Sequence, residues 1–212
     1  MMAGLSTAPV GLASCLVLLA LLGLRHATDP DHLAAVSQLL VLDPQGLRRA
    51  HLLSLAWGCG HGLVVMLAAL PVVLGLVLWP QWIGPAADRM IGMMLILIAA
   101  RMLWVWRKSR LEDHGHTAAA RGLPASFGIG AMHGLAGTGA VSVLMISAIP
   151  NRSLALLGLL VFSLTTMLGM VLIASGLGPL LIGKSRTQRM WTVPLLACCS
   201  ATVGLMLALP NG

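Results

Sequence analysis

The sequence predicts an all-α protein that crosses a membrane several times. Three observations predict this class: 58% of the 212 residues are hydrophobic, only 9% are charged, and the mean hydropathy is +0.94. Because a soluble domain carries about 25% charged residues, this chain has too few charges to cover a surface that faces water. Its apolar runs are also much longer than the strands of about 10 residues that build a membrane barrel, so the spanning elements should be helices.

Long apolar runs predict six membrane-spanning helices within a single domain, residues 1–212. A span needs about 20 residues, and four of the six runs are longer, so those helices must tilt, kink or break. A polar loop, residues 107–121, separates two predicted halves, residues 1–107 and 122–212. The predicted spans are residues 9–41, 52–79, 83–106, 123–149, 153–182 and 190–209.

The basic residues predict how these helices are oriented. Nine Lys and Arg residues lie in the loops after the first, third and fifth spans, and two lie in the loops after the second and fourth. Cytoplasmic loops carry the excess of positive charge, so these three loops are predicted to be cytoplasmic and both termini to lie outside the cytoplasm. We therefore expect an integral protein of the bacterial inner membrane, with lipid as its surroundings and no nucleic-acid partner. Trp57 lies away from both membrane surfaces, and we expect it to pack inside the bundle.

Short sequence matches predict that the halves form an inverted repeat of three spans each. The letters GLRH and AVS of the first span recur as GAMH and AVS in the fourth, and SL of the second span recurs in the fifth. Halves with three spans enter the membrane with opposite polarity, which is the plan of many secondary transporters with a site near the midplane. Chance matches in a chain rich in small residues are the alternative. The matched segments are 23–26 with 130–133, 35–37 with 140–142, and 54–55 with 163–164.

The first span carries a group of ionisable residues where it should cross the bilayer. Arg25, His26, Asp29, Asp31 and His32 all lie within eight residues. An ionisable side chain inside a membrane costs at least a few kcal/mol, and it marks a functional site by default. A purely structural pair of Arg25 and Asp29 at helical spacing is the alternative, but that pair leaves Asp31 unexplained.

Pro30 predicts that the first helix opens within this group. Proline lacks the N–H that would bond to the carbonyl oxygen of His26, and its ring clashes with that carbonyl. It also pushes the preceding Asp29 away from helical backbone angles. An opened turn would let these side chains converge, and such breaks are tolerated in membranes where they line a polar cavity. The imidazoles and carboxylates together would suit Ni²⁺, Co²⁺, Zn²⁺ or Fe²⁺.

The motif RHATDPDHL resembles the signature of the nickel/cobalt transporter family, H-x-x-x-x-D-H within a transmembrane helix. Here the signature residues are His26, Asp31 and His32, and Asp29 matches the additional acid of the family. GHGLVV in the second span is similar to the Gly-His segment of the family's next helix, and it places His61 in the site. The resemblance implies a metal-binding set for Ni²⁺ or Co²⁺ as transported substrate, with no prosthetic group and no catalytic residue.

This sequence departs from the usual pattern of the family in two ways, and in both it is similar to the shorter branch of the family, the urease-accessory-type nickel permeases. Typical members have eight spans and carry an Asp-Thr-Ala-Thr-Glu-like motif in a later helix, where this chain has GIGAMHGLAGTGAV. His133 in this Gly-rich run either completes the metal site from the second half or bonds across a close helix contact. The segment EDHGH, residues 112–116, either passes metal to a cytoplasmic acceptor or is a solvated polar loop, which we favour.

The predicted function is secondary transport of Ni²⁺ or Co²⁺, and the chain is not expected to be an enzyme. Import is favoured over efflux, because a negative-inside potential favours inward movement of a dication by about 4.6 kcal/mol per 100 mV, twice the single-charge value. The alternative is an intramembrane metalloenzyme such as a zinc-dependent hydrolase, for which the sequence offers no clear general base and oxyanion partner. A metal-binding subunit of a larger permease complex is a third alternative, and the oligomeric state is not predicted.

Overall fold

The computed structural model is all-helical in the residues that it describes, so the predicted fold class is confirmed. These residues are 8–42, 46–78, 80–111, 122–134, 138–182 and 185–209. The predicted handover segment, residues 112–116, lies outside them. The helices of the described residues are α1 (Ala8–Ala27), α2 (Pro30–Leu42), α3 (Leu47–Val73), α4 (Ile83–Leu111), α5 (Leu123–His133), α6 (Thr138–Ser147), α7 (Arg152–Leu181) and α8 (Arg186–Ala208).

Four helices, α3, α4, α7 and α8, are long and apolar enough to cross a membrane alone. The pair α1 and α2 passes the same test as one bent span, which gives up to five spans in the described residues. The helices α5 and α6 have 11 and 10 residues, so neither alone reaches the about 20 residues that a span needs. A membrane protein with several spans is thus confirmed, whereas the count of six stays a prediction that needs α5 and α6 to form a second broken span.

The break between α1 and α2 occurs where Pro30 predicts it. The chain bends there by 56°, and α2 begins with Pro30 itself, whose missing N–H costs nothing at the first position of a helix. The N–H of Asp29 donates to the carbonyl oxygen of His26 at 3.1 Å, and the N–H of Thr28 donates to that of Arg25 at 3.0 Å. These shorter-range bonds close the last turn of α1, so the carbonyl oxygens of Arg25 and His26 are satisfied despite the break.

The helices α3 and α7 are the centre of the bundle. They run antiparallel, because Gly58 of α3 packs on Met167 of α7 while Gly62 lies beside Ser163. In addition, α5 packs along α3, α1 packs along α7, and α4 packs along α8. The helix α2 lies between α7, α8 and α4. Helices of the first half therefore pack mainly against helices of the second, and the two halves share one core.

Several contacts between the halves are reciprocal. A Cβ atom on Gly92 of α4 would lie closest to the carbonyl oxygen of Gly204 on α8, and one on Gly204 would lie closest to that of Gly92. The packing of α1 on α7 likewise has a counterpart in that of α5 on α3. Two similar halves around a two-fold axis would make such contacts, although the inverted repeat itself stays a prediction.

The bundle is apolar outside and polar at its centre. Leu18, Leu97 and Leu172 are each more than half exposed, and such side chains on several helices suit contact with lipid rather than water. The buried polar residues include two histidines and two aspartates of the first span, His61 of α3 and His133 of α5. The helices thus surround a polar interior, which is the candidate site.

Candidate metal centre

The ionisable residues of the first span meet at the break between α1 and α2. The last turn of α1 carries His26, the break itself carries Asp29, and the first turn of α2 carries Asp31 and His32. All four side chains are buried. Because a straight helix would point them in different directions, the break at Pro30 is what brings them together.

Two further helices each add one imidazole to this group. His61 lies at the middle of α3, His133 ends α5, and both are buried. The ring centroids of His26 and His32 lie 4.6 Å apart, and that of His61 lies 5.2 Å and 5.1 Å from them. The ring of His133 lies 5.7 Å from that of His32. The structure therefore brings all the residues of the predicted metal site into one buried cluster.

Three of these imidazoles offer nitrogens at a separation that one metal ion can bridge. One nitrogen from each of His26, His32 and His61 lies within 4.8 Å of the others. Nε2 of His26 lies 3.3 Å from Nε2 of His61. Nitrogens bound at about 2.0–2.1 Å to a tetrahedral ion lie roughly 3.4 Å apart, so this pair already has the spacing of two ligands.

Two carboxylates hold the opposite nitrogens of these rings. Nδ1 of His26 lies 3.0 Å from Oδ2 of Asp29, and Nδ1 of His32 lies 3.1 Å from Oδ1 of Asp31. A ring that donates Nδ1–H to a carboxylate leaves Nε2 free to bind a metal and has a fixed orientation, as metal-binding histidines usually do. Asp29 is itself held by Nη1 of Arg25, which donates to its Oδ1 at 2.9 Å.

Several buried atoms of the cluster have no hydrogen-bond partner within the described ranges. They include Nε2 of His32, Nε2 of His133 and Oδ2 of Asp31. The ring of His133 donates its Nδ1–H to the carbonyl oxygen of Ile129 at 3.1 Å, so its Nε2 carries a lone pair. Buried polar atoms are normally paired, and an unpaired one costs about 1–3 kcal/mol. A cation bound among the rings would satisfy these lone pairs, so the cluster fits a metal ion.

The carboxylates also belong to a second set of potential ligands. One ligand atom from each of Asp29, Asp31 and His32 lies within 4.8 Å of the others. This set shares His32 with the imidazole set, and the same borderline metals accept its nitrogen and oxygen ligands. Both carboxylates also bring negative charge to a buried position, which offsets the charge of a divalent ion far from water.

Trp57 of α3 contacts the cluster, a connection with the site that the sequence pattern did not predict. It is only 2% exposed, so the prediction that it packs inside the bundle is confirmed. Its indole stacks on the ring of His61 at 5.5 Å between centroids, and it lies 5.2 Å from the ring of His32 and 5.1 Å from that of His133. Its position one helical turn from His61 is the signal that could have indicated this contact.

The helical bundle and its buried cluster define an integral membrane protein with metal-ligating side chains in its interior. Comparison with known proteins gives its family. The family described as high-affinity nickel-transport protein, NicO, matches residues 13–122. The chain is also 30% identical over 172 residues to the urease accessory protein UreH of Bacillus sp. (strain TB-90), which covers 76% of this chain and 75% of that protein. This chain therefore belongs to the high-affinity nickel-transport protein family. No solved structure matches it.

Membership of this family confirms the predicted resemblance. It assigns the protein a role in nickel transport, with Ni²⁺ as transported substrate, and it favours a transporter over an enzyme. The matched range contains most of α1 and all of α2, α3 and α4, and thus the ionisable group at the break together with His61. It ends before α5 and so does not include His133, which the sequence named as a candidate and the structure places beside the cluster.

Proposed function

We propose that this protein is a secondary transporter that moves Ni²⁺ or Co²⁺ across the bacterial inner membrane and that the ion binds at the break between α1 and α2. The observation that carries this proposal is the convergence of buried imidazoles and carboxylates, several with unpaired atoms, inside an apolar bundle. The proposed site consists of His26, Asp29, Asp31, His32, His61 and His133.

The ligand chemistry supports a borderline divalent ion. The cluster offers imidazole nitrogens and carboxylate oxygens, which Ni²⁺, Co²⁺ and Zn²⁺ accept and Cu⁺ does not prefer. The family supports Ni²⁺ as substrate, and Co²⁺ follows as the second proposed substrate because it accepts the same ligands. We propose that imidazole Nε2 atoms bind the ion and that Asp29 and Asp31 orient two of the rings.

The position of the site suggests how the ion crosses. The helices α1, α2 and α3 of the first half supply most ligands, and α5 of the second half supplies His133. A rocking motion of one half against the other would expose the ion to one side at a time. We propose import, since the membrane potential favours inward movement of a dication by about 4.6 kcal/mol per 100 mV.

The predicted orientation completes this proposal. We propose that both termini lie outside the cytoplasm, so that α3 begins on the cytoplasmic side. An acceptor for metal released there is a further proposed partner. No observation favours the metalloenzyme alternative, and we do not propose it.

Metal flux into proteoliposomes that contain only this protein tests the proposal. We expect flux of Ni²⁺ and Co²⁺ driven by an inside-negative potential, and its loss by at least about tenfold, or 1.4 kcal/mol, in His26→Ala and Asp31→Asn. Trp191→Phe is the matched control, because Trp191 is 75% exposed on α8 and should leave flux unchanged. Flux that survives both site substitutions would refute the proposed site. Absence of flux when this protein is the sole protein in the vesicles would favour the alternative that it is one subunit of a larger permease complex.

A further inference from the structure

We propose that Trp57 gates the metal centre towards the end of the bundle where α3 begins, and that the ion travels there along the face of α3 that carries Ser54 and His51. This inference rests on the proposed function, because it takes the ion to be bound at the cluster. The end where α3 begins is the predicted cytoplasmic end, so that this route would be the exit for an imported ion.

The indole of Trp57 lies between the imidazoles and the start of α3. It precedes His61 by four residues, about 6 Å along the helix axis, and stacks on that ring with an interplanar angle of 9°. It also contacts the rings of His32 and His133. An ion that leaves these three rings towards the start of α3 must pass the indole, so Trp57 closes the site on this side.

The indole N–H of Trp57 lacks a hydrogen-bond partner in the described part of the chain in this position of the side chain. Nε1 is buried, and buried indole N–H groups usually have a partner. Rotation of the side chain into an open, hydrated path would give this N–H a partner. The backbone is less free to move, because a Cβ atom on Gly130 of α5 would already overlap the carbonyl oxygen of Trp57. Side-chain rotation is therefore the opening movement.

Polar groups continue along α3 beyond the indole. Ser54 and His51 follow Trp57 at intervals of about one turn towards the start of the helix, so they share a face with His61. Oγ of Ser54 is buried without a partner in the described residues. His51 is partly exposed, and its Nε2 lies 2.9 Å from Oγ of Ser175 on α7. Water or a hydrated ion that enters when the indole rotates would give the Ser54 hydroxyl the hydrogen-bond partner that it lacks among the described residues.

The other side of the cluster has a similar pair of residues on α7. Phe162 is buried and stacks on the ring of His26 at 5.4 Å between centroids. The hydroxyl of the next residue, Ser163, is buried and also has no partner in the described residues. Ser163 lies beside Gly62, past His61 and away from Trp57. It therefore serves as the matched position on the opposite side of the cluster.

Thiol labelling tests the route while Trp57 stays intact. Ser54→Cys and Ser163→Cys are made in a chain whose four native cysteines are replaced by alanine, and a membrane-impermeant maleimide is added from either side of proteoliposomes. We expect Ser54→Cys to react only from the side where α3 begins and Ser163→Cys only from the opposite side. Reaction of Ser54→Cys from the side opposite to the start of α3, or from neither side, would overturn the route.

Metal release tests the gate in the full-length protein in detergent. A chelator in excess captures Ni²⁺ as the protein releases it. Trp57→Ala should release the ion at least about tenfold faster than wild type, which corresponds to 1.4 kcal/mol. Trp57→Phe keeps an aromatic ring, and its release rate should stay within about threefold of wild type. Trp191→Phe should leave the rate unchanged. An unchanged rate in a Trp57→Ala protein that still binds Ni²⁺ would overturn the gate. Absence of Ni²⁺ binding by the wild type would instead overturn the proposed function.

Discussion

Asp31→Asn separates the binding of metal from the stability of the fold. Oδ1 of Asp31 accepts the Nδ1–H of His32 at 3.1 Å, while its Oδ2 is buried without a partner among the described residues. Asparagine has nearly the same shape and keeps one oxygen that can accept from the ring. The substitution therefore removes a negative charge without creating a cavity.

The size of the expected effect follows from these contacts. A hydrogen bond to a charged group contributes about 1 kcal/mol more than a neutral one, and loss of the carboxylate charge also removes attraction for a dication. Together these changes should raise the Kd for Ni²⁺ by roughly 10- to 100-fold, the range seen when partners of metal-binding imidazoles are removed. In the metal-free protein the weaker hydrogen bond to His32 is offset by the loss of a buried charge that has an unpaired oxygen, so the Tm should change little.

Titration calorimetry with Ni²⁺ and thermal unfolding of the metal-free protein measure the two effects. Asp29→Asn is the matched comparison, because Oδ2 of Asp29 holds Nδ1 of His26 in the same way at 3.0 Å. This substitution also removes the carboxylate that pairs with Arg25. The Arg25 side chain is 67% exposed, so loss of this ion pair should change the free energy of unfolding little. Unchanged affinity in Asp31→Asn would refute the reasoning, as would a large fall in the Tm of the metal-free protein.

Three further predictions concern the break, the packing of α5 and the second half. Pro30→Ala restores the missing N–H and permits a straight helix, which would move the metal ligands apart. Ni²⁺ flux in proteoliposomes should therefore fall at least about tenfold, and unchanged flux would contradict a role for the break. Gly130→Ala forces a methyl group against the backbone of Trp57 and should lower the free energy of unfolding by about 1–3 kcal/mol. Gly128→Ala is the control, because a Cβ atom there would have nothing within 4 Å; equal Tm values of the two variants would contradict the close packing of α5 on α3. His133→Ala should weaken Ni²⁺ binding in calorimetry at least about tenfold, or 1.4 kcal/mol, and unaltered binding would assign His133 to packing alone.

Local chemistry made much of the site predictable. Proline lacks a backbone N–H and clashes with the preceding turn, so the sequence favours a break at Pro30, and this break gathers His26, Asp29, Asp31 and His32. Proline does not by itself fix a break, because three other prolines of this chain lie inside continuous helices. The length and low charge of the apolar runs sufficed for the helical membrane class. The family followed from the spacing of the same short motif, because that spacing is specific.

Contacts between helices distant in sequence were not predictable in the same way. The sequence placed Trp57 inside the bundle but could not show that α2, α3 and α5 press its indole against three imidazoles. Nor could it distinguish a carboxylate that binds the ion from one that orients a ring, since the residue types are the same. The number of spans also depends on how α5 and α6 are arranged, which composition does not determine.

The central claim is that imidazole nitrogens gathered at the break bind the transported ion. X-ray absorption spectroscopy of the Ni²⁺-loaded protein tests it most directly, because scattering from the outer ring atoms counts bound imidazoles. The account predicts at least three imidazole ligands in the wild type, in agreement with His26, His32 and His61, and one fewer in His61→Ala. A bound nickel ion without imidazole ligands, or with the same number in His61→Ala, would contradict it.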